Sequence, residues 1–195
     1  MKILFLGPKR DGMIEYIKSL GDEVISTEEP IRVTSEELRE VNFLVSYGYR
    51  HIIKKEVLDL MQKRAINLHI SLLPWNRGAD PNLWSFLEDT PKGVTIHVLD
   101  DGIDTGEILA QKEVAFSTED TLRTSYEKLS ETIEALFRET WPLIREGKVT
   151  SRAQVGEGSF HLLKDRKQYE HLLTKGWDTP VIELIGKANE KERGT

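Results

Sequence analysis

Asn67 and His69 stand two residues apart near the end of the apolar run 64–70, Arg-Ala-Ile-Asn-Leu-His-Ile, and Asp104 follows in the glycine-bracketed stretch Asp100-Asp101-Gly102-Ile103-Asp104-Thr105-Gly106. On a strand, residues two apart leave the same face, so the amide and the imidazole emerge together while Leu68 and Ile70 turn into packing. Asp104 falls in a turn after the strand-like residues 93–99, and a turn at a strand end is where a rigid scaffold presents functional groups. An amide donates from its NH2 without titrating; an imidazole, when protonated, adds a charge-assisted donor, and a neighbouring carboxylate favours that charged form. Together the three suit stabilisation of the oxyanion that forms when a carbonyl is attacked, with the carboxylate taking up the proton lost by an attacking amine. No serine or cysteine nucleophile is required, which fits direct acyl transfer between two bound substrates better than a covalent acyl-enzyme.

The same residues have plainer uses. A strand-end Asn and His also serve as loop caps or satisfied core groups. His69, Asp104 and His97 could instead ligate a metal, but two histidines with one acid and no further cluster make a weak ligand set, and no metal is expected. His97 alternates with Ile96 and Val98 and reads as packed between sheet and helix rather than as a ligand.

The elements that must position these groups alternate in type. Residues 2–6, 23–26 and 42–47 read as strands, and residues 13–20 and 54–61 as helices, the first stopped by Gly21. That is a βαβ layout with a largely parallel sheet covered on both faces. Pro81 sits at the first turn of a short helix through residue 87, and strands over 93–99 and 107–116 flank the Asp104 turn. Ser117-Thr118-Glu119-Asp120 caps one long amphipathic helix, with Leu122, Tyr126, Leu129, Ile133, Phe137, Trp141 and Ile144 at spacings of three and four, ending near Gly147. Pro142 should kink its last turn. Beyond Val149 the pattern weakens: residues 159–186 suit a strand plus one or two short helices, and the charged tail 187–195 reads as frayed. The expected fold class is α/β, a Rossmann-like, largely parallel twisted sheet with helices on both faces, with residues 1–150 as the catalytic domain and 151–195 as a small C-terminal extension.

Composition narrows the function. The 195 residues contain no cysteine, so disulfides, cysteine nucleophiles and cysteine-ligated metals are excluded, and a reducing cytoplasm is the natural setting. The first apolar run is too short for a signal peptide, no stretch approaches about 18 apolar residues, and no membrane association is expected. A formal charge of -6 argues against broad electrostatic binding to nucleic acid. A dinucleotide is not expected either, because Gly7-Pro8-Lys9-Arg10-Asp11-Gly12 departs from the glycine fingerprint and puts proline where a phosphate-binding turn needs N–H groups.

The run Asn67-Leu68-His69-Ile70-Ser71-Leu72-Leu73-Pro74-Trp75-Asn76-Arg77-Gly78, with Gly93-Val94-Thr95-Ile96-His97 and Asp101-Gly102-Ile103-Asp104-Thr105-Gly106-Glu107-Ile108, resembles the 10-formyltetrahydrofolate-dependent formyltransferases. The resemblance covers residues 1–150 in order and spacing. It is greatest to nucleotide-sugar N-formyltransferases and to the formylation domain of linear gramicidin synthetase. It implies that Asn67, His69 and Asp104 are catalytic, and that 10-formyltetrahydrofolate is the co-substrate. It places the pterin against His51, Ile52 and Ile53 and the backbone of Asp100, Asp101, Gly102 and Ile103. For the acceptor it implicates the loop from Leu73 to Trp84, where Arg77 would meet a diphosphate and Trp75 and Trp84 offer stacking faces; Lys9 is a further candidate. Both tryptophans could equally be loop anchors. The acceptor expected is the primary amine of a nucleotide-linked amino deoxysugar. The alternatives are a carrier-bound aminoacyl group in nonribosomal peptide initiation and a non-catalytic folate-binding role. For an oligomer, a homodimer is expected.

Overall fold

The computed structural model of the chain describes residues 1–192. Its elements run β1 (Lys2–Leu6), α1 (Asp11–Ser19), β2 (Glu23–Thr27), β3 (Phe43–Tyr47), α2 (Lys55–Met61), β4 (Ala65–His69), β5 (Arg77–Gly78), α3 (Pro81–Leu87), β6 (Gly93–Val98), β7 (Ile108–Glu113), α4 (Leu122–Arg145), β8 (Phe160–His161) and α5 (Lys187–Glu192). Six strands form one mostly parallel sheet in the order β2-β1-β3-β4-β6-β7. β1 pairs parallel with β2 and β3, and β3 with β4. All of β3 and β6 is buried, as a strand with both faces covered must be.

Contacts divide the chain into two units. One comprises Met1–His69, Ile96–Ala110 and Glu134–Gln154; the other comprises Ile70–Thr95, Gln111–Ile133 and the residues from Val155 onward. The division does not fall at residue 150, and backbone pairing shows why. In the first unit Arg152 and Ile108 exchange N–H to carbonyl bonds at 2.7 and 2.9 Å, tying residues 151–154 to the start of β7. In the second, β8 pairs in parallel with β5, so the segment from Val155 is integral to its unit and not an appendage.

In the first unit, alternation along β1 sends Leu4 and Leu6 to one face, where they join Leu44, Val57, Leu58 and Met61 beneath α2. On the other face the Phe43 ring meets Trp141 edge-on at 5.0 Å, and Trp141 stacks on Phe137 at 5.2 Å. The sheet is thus covered on both sides. Pro142 does not end α4, which continues to Arg145. Proline at that position denies the Arg138 carbonyl its helical donor; the Tyr16 hydroxyl supplies one at 2.7 Å.

In the second unit Leu83, Trp84, Phe86 and Leu87 of α3 pack with Leu122, Tyr169, Val181, Leu184 and Ala188. α4 starts later than the Ser117 cap implies. Asp120 gathers the loop instead, accepting from Ser117 N–H at 2.8 Å and Thr124 Oγ1 at 2.9 Å, with Lys128 Nζ at 2.7 Å. Residues 187–192, expected to fray, form α5; the rest of that tail lies outside the described residues. Among the described residues no helix is long and apolar enough to cross a membrane.

Candidate active site

Asn67 and His69 reach the site from β4, whose neighbours in the sheet are β3 and β6. Asp104 sits between β6 and β7 at φ 54°, a left-handed backbone that a non-glycine residue adopts only when its surroundings hold it there. The three predicted residues converge. Asn67 Nδ2 donates to Asp104 Oδ1 at 3.1 Å, and His69 Nδ1 lies 3.6 Å from Asp104 Oδ2. His69 is 7% exposed, so the pair is largely withdrawn from solvent.

Two further residues complete the cluster. His97, on β6 and 1% exposed, places Nε2 3.3 Å from Asp104 Oδ1 and 3.4 Å from Asn67 Nδ2, while its Nδ1 is 2.9 Å from Val98 O. It is packed as expected, and its ring also faces the carboxylate. The signal was an imidazole inside a strand otherwise built to be buried. Gln154 donates through Nε2 to Asp104 O at 2.8 Å and to Gly106 O at 2.9 Å, gripping the turn from behind. Nothing in the weak pattern beyond Val149 pointed to it. Gly106 is required there, since a Cβ would stand 1.7 Å from Val98 O.

The residues expected to meet the pterin belong to the same unit. Ile53 and Leu99 both rest on the cluster under α2, which brings the 49–53 loop and the 99–104 loop onto one support. Lys55 links them further, 3.6 Å from Asp101. Asp100 Oδ1 accepts from Thr105 Oγ1 at 2.7 Å and Gly102 N–H at 3.2 Å, which fixes the loop carrying Asp101 and Ile103. His51 packs its ring edge on Tyr49 at 5.3 Å. Ile52 is 80% exposed and Ile103 43%, two apolar side chains presented outward.

The acceptor-loop candidates fare unequally. Arg77 is held by the carbonyls of Glu157, at 3.1 Å from Nη2, and Ser159. Trp75 is half-buried, its carbonyl accepting from Ser71 Oγ at 2.7 Å. Trp84 takes the anchor role, the other use its position allowed: 3% exposed, it stacks on the His161 ring at 3.7 Å and meets Tyr169 edge-on. Lys9 pairs at the surface with Asp11 at 2.6 Å, so a phosphate there would have to displace a carboxylate. Asn76, 0% exposed and at φ 56°, accepts from Thr90 Oγ1 at 2.8 Å, donates through Nδ2 to Glu88 and through its backbone N–H to Ser159 Oγ at 3.0 Å, locking the loop to the segment from Val155.

An amide, two imidazoles and a carboxylate in mutual reach suit attack on a carbonyl by an amine, with donors for the oxyanion and an acceptor for the proton. The profile of the Formyl transferase family matches residues 23–140. The formyltransferase PseJ from Anoxybacillus kamchatkensis, crystallised in complex with UDP-4,6-dideoxy-4-formamido-L-AltNAc and tetrahydrofolate, is 56% identical with a TM-score of 0.95, over 96% of this chain and 100% of that one. The methionyl-tRNA formyltransferase of Thermodesulfovibrio yellowstonii is 40% identical over 150 residues, 76% of this chain and 42% of that protein. The dTDP-4-amino-4,6-dideoxyglucose formyltransferase of Mycobacterium tuberculosis is 36% identical over 109 residues, 56% of this chain and 47% of that protein. The chain spans about half the length of the curated relatives it matches.

Proposed function

The chain belongs to the formyl transferase family, and from that premise we propose that it moves a formyl group from 10-formyltetrahydrofolate to the primary amine of a nucleotide-linked amino deoxysugar. The observation that carries the acceptor class is the likeness, along 96% of this chain, to a formyltransferase crystallised with a UDP-linked formamido sugar and tetrahydrofolate.

In this reading the amine nitrogen attacks the formyl carbon. Asn67 and His69 donate to the oxygen as it gains charge, an arrangement worth about 10²–10³ in rate per well-aimed donor. Asp104, joined to Asn67 at 3.1 Å and 3.6 Å from His69, orients both donors and takes the proton released by the amine. The outward-facing Ile52 and Ile103 suit the flat faces of a pterin, Ile53 adds an apolar contact beside them, and the backbone of Asp100, Asp101, Gly102 and Ile103, with His51, suits its polar edge. Trp75 and Arg77 are the candidates for the nucleotide end, Arg77 as a planar partner for diphosphate.

The test is incubation with formylfolate and a panel of UDP- and dTDP-linked 4-amino and 3-amino deoxysugars, aminoacyl carrier proteins and methionyl-tRNA, read by mass spectrometry for the gain of one formyl group. Gain on a sugar nucleotide is expected. Gain confined to a carrier or to tRNA would overturn the acceptor class, and no gain on any of them would overturn the reaction.

A further inference from the structure

We propose that His97 is a positioning residue of this site: a hydrogen on its Nε2 bridges to Asp104 Oδ1 and thereby leaves one Asn67 N–H for the oxyanion. The inference rests on the formyl-transfer reading for its purpose, though not for its geometry.

The hydrogen count follows from which atoms can only accept. Val98 O lies 2.9 Å from His97 Nδ1, and a carbonyl has no hydrogen to offer, so Nδ1 carries one. A neutral ring would then turn a bare lone pair on Nε2 towards Asp104 Oδ1 at 3.3 Å, lone pair against lone pair. The ring is 1% exposed, which leaves little room for solvent to relieve that opposition. The bare nitrogen would also compete for Asn67 Nδ2, 3.4 Å away. A hydrogen between Nε2 and Oδ1 removes both conflicts. Asn67 then spends one N–H on Oδ1 at 3.1 Å and keeps the second for the reacting oxygen.

The titratable groups facing His97 are Asp104 and, with ring centroids 6.4 Å apart, His69. The proton given up by the amine goes to the Asp104 carboxylate. The atoms balance: a bond forms from the amine nitrogen to the formyl carbon, the bond from that carbon to folate N10 breaks, and the amine's proton passes through Asp104 to N10. His97 ends the cycle as it began.

The test is imidazole ¹⁵N NMR on the full chain without substrates, with the His97 resonances assigned by their loss in His97→Gln. Near neutral pH the wild-type Nε2 should show the shift of a nitrogen that carries or shares a hydrogen, and Asp104→Asn should return it to that of a bare acceptor. A bare-acceptor shift in the wild type overturns the proposal whatever the protein acts on, so this arm is independent of the acceptor. In turnover, His97→Leu should lower kcat about 10- to 100-fold with KM for formylfolate nearly unchanged. His97→Gln, which keeps a donor at the Nε2 position, should recover most of that loss. Equal loss in both variants in proportion to a falling melting temperature, or no loss in His97→Leu, would also overturn it. A hydrogen on Nε2 that disappears in Asp104→Asn, with no transfer to any acceptor, would support the bridge and sink the transfer reading instead.

Discussion

Gln154→Ala is the sharpest test of how the carboxylate is held. Gln154 comes from an extended segment registered against β7 by the paired Arg152 and Ile108 backbones, and its side chain ends on two carbonyls of one turn, at 2.8 Å from Asp104 O and 2.9 Å from Gly106 O. A backbone at φ 54° costs a non-glycine residue about 1 kcal/mol or more, so the Asp104 turn leans on support from outside itself. Each net hydrogen bond contributes about 1 kcal/mol, so truncation should cost about 2 kcal/mol of stability. The Gln154 Oε1 is buried without a hydrogen-bond partner, so its donors alone set the amide's orientation.

Once the turn loosens, the Asp104 carboxylate no longer sits reliably against Asn67 and His69. Misplacement on the ångström scale costs up to about 100-fold in rate, and for a turn still tethered next door, where Val98 N–H donates to Glu107 O at 2.9 Å, a fall in kcat of about 10-fold is expected. Steady-state kinetics should show that fall with KM for the amine nearly constant, and hydrogen exchange should show faster exchange across residues 104–106. Gln154→Glu separates donation from packing: it preserves size but aims a carboxylate at two carbonyls, and should be worse than alanine in both assays. If Gln154→Glu kept near-normal turnover, or if Gln154→Ala kept kcat within about twofold, the clamp would be incidental.

Asn67→Ala removes the non-titrating donor and should lower kcat by about 10²–10³ with the fold intact by circular dichroism; turnover close to wild type would remove Asn67 from the chemistry. Tyr16→Phe should cost about 1–2 kcal/mol in chemical denaturation because it strips the Arg138 carbonyl of the Tyr16 donor, and it should cost less in a Pro142→Ala background, where the helix can supply that bond itself; equal costs in the two backgrounds would show no such exchange. Asp120 predicts acid behaviour: burial pushes its carboxyl up, but the Lys128 ammonium, the Ser117 N–H and the Thr124 hydroxyl outweigh that and hold it at about 2, below the ordinary 3.8. A depressed carboxylate stabilises above its unfolded value, so about 2 kcal/mol should be present above pH 4 and lost as pH falls towards 2. Asp120→Asn should flatten the melting curve's dependence over that window, and an unchanged slope would count against the pairing.

The fold was legible wherever it depends on short-range pattern. β1, β3 and β4 are apolar runs bounded by polar loops, and α4 repeats its apolar face at spacings of three and four, so local sequence specifies them. What the sequence could not show at Pro142 is the compensating donor, Tyr16, which lies far back in the chain on α1. The two-unit division is hard to read from sequence for a similar reason. β5 and β8 are two residues each and have no periodicity to detect; their existence depends on Asn76, Thr90, Glu88 and Ser159 meeting across long sequence separations.

The site divides along the same line, and the division explains which of its members a sequence can reveal. Asn67 and His69 share a strand face, and the turn around Asp104 announces itself by its glycines, so three groups were readable from local geometry. The burial of His97, 1% exposed, was readable, but apolar neighbours do not distinguish a ring that only fills space from one that also faces a carboxylate 3.3 Å away. Gln154 was invisible, because a clamp on backbone carbonyls needs only a donor at the right point in space, and no residue pattern marks it. Groups that touch substrate are constrained in type as well as place, while groups that hold them are constrained mainly in place. The supporting residues of such a site are therefore the part that structure must supply, and Gln154 and His97 are where further substitutions will be most informative.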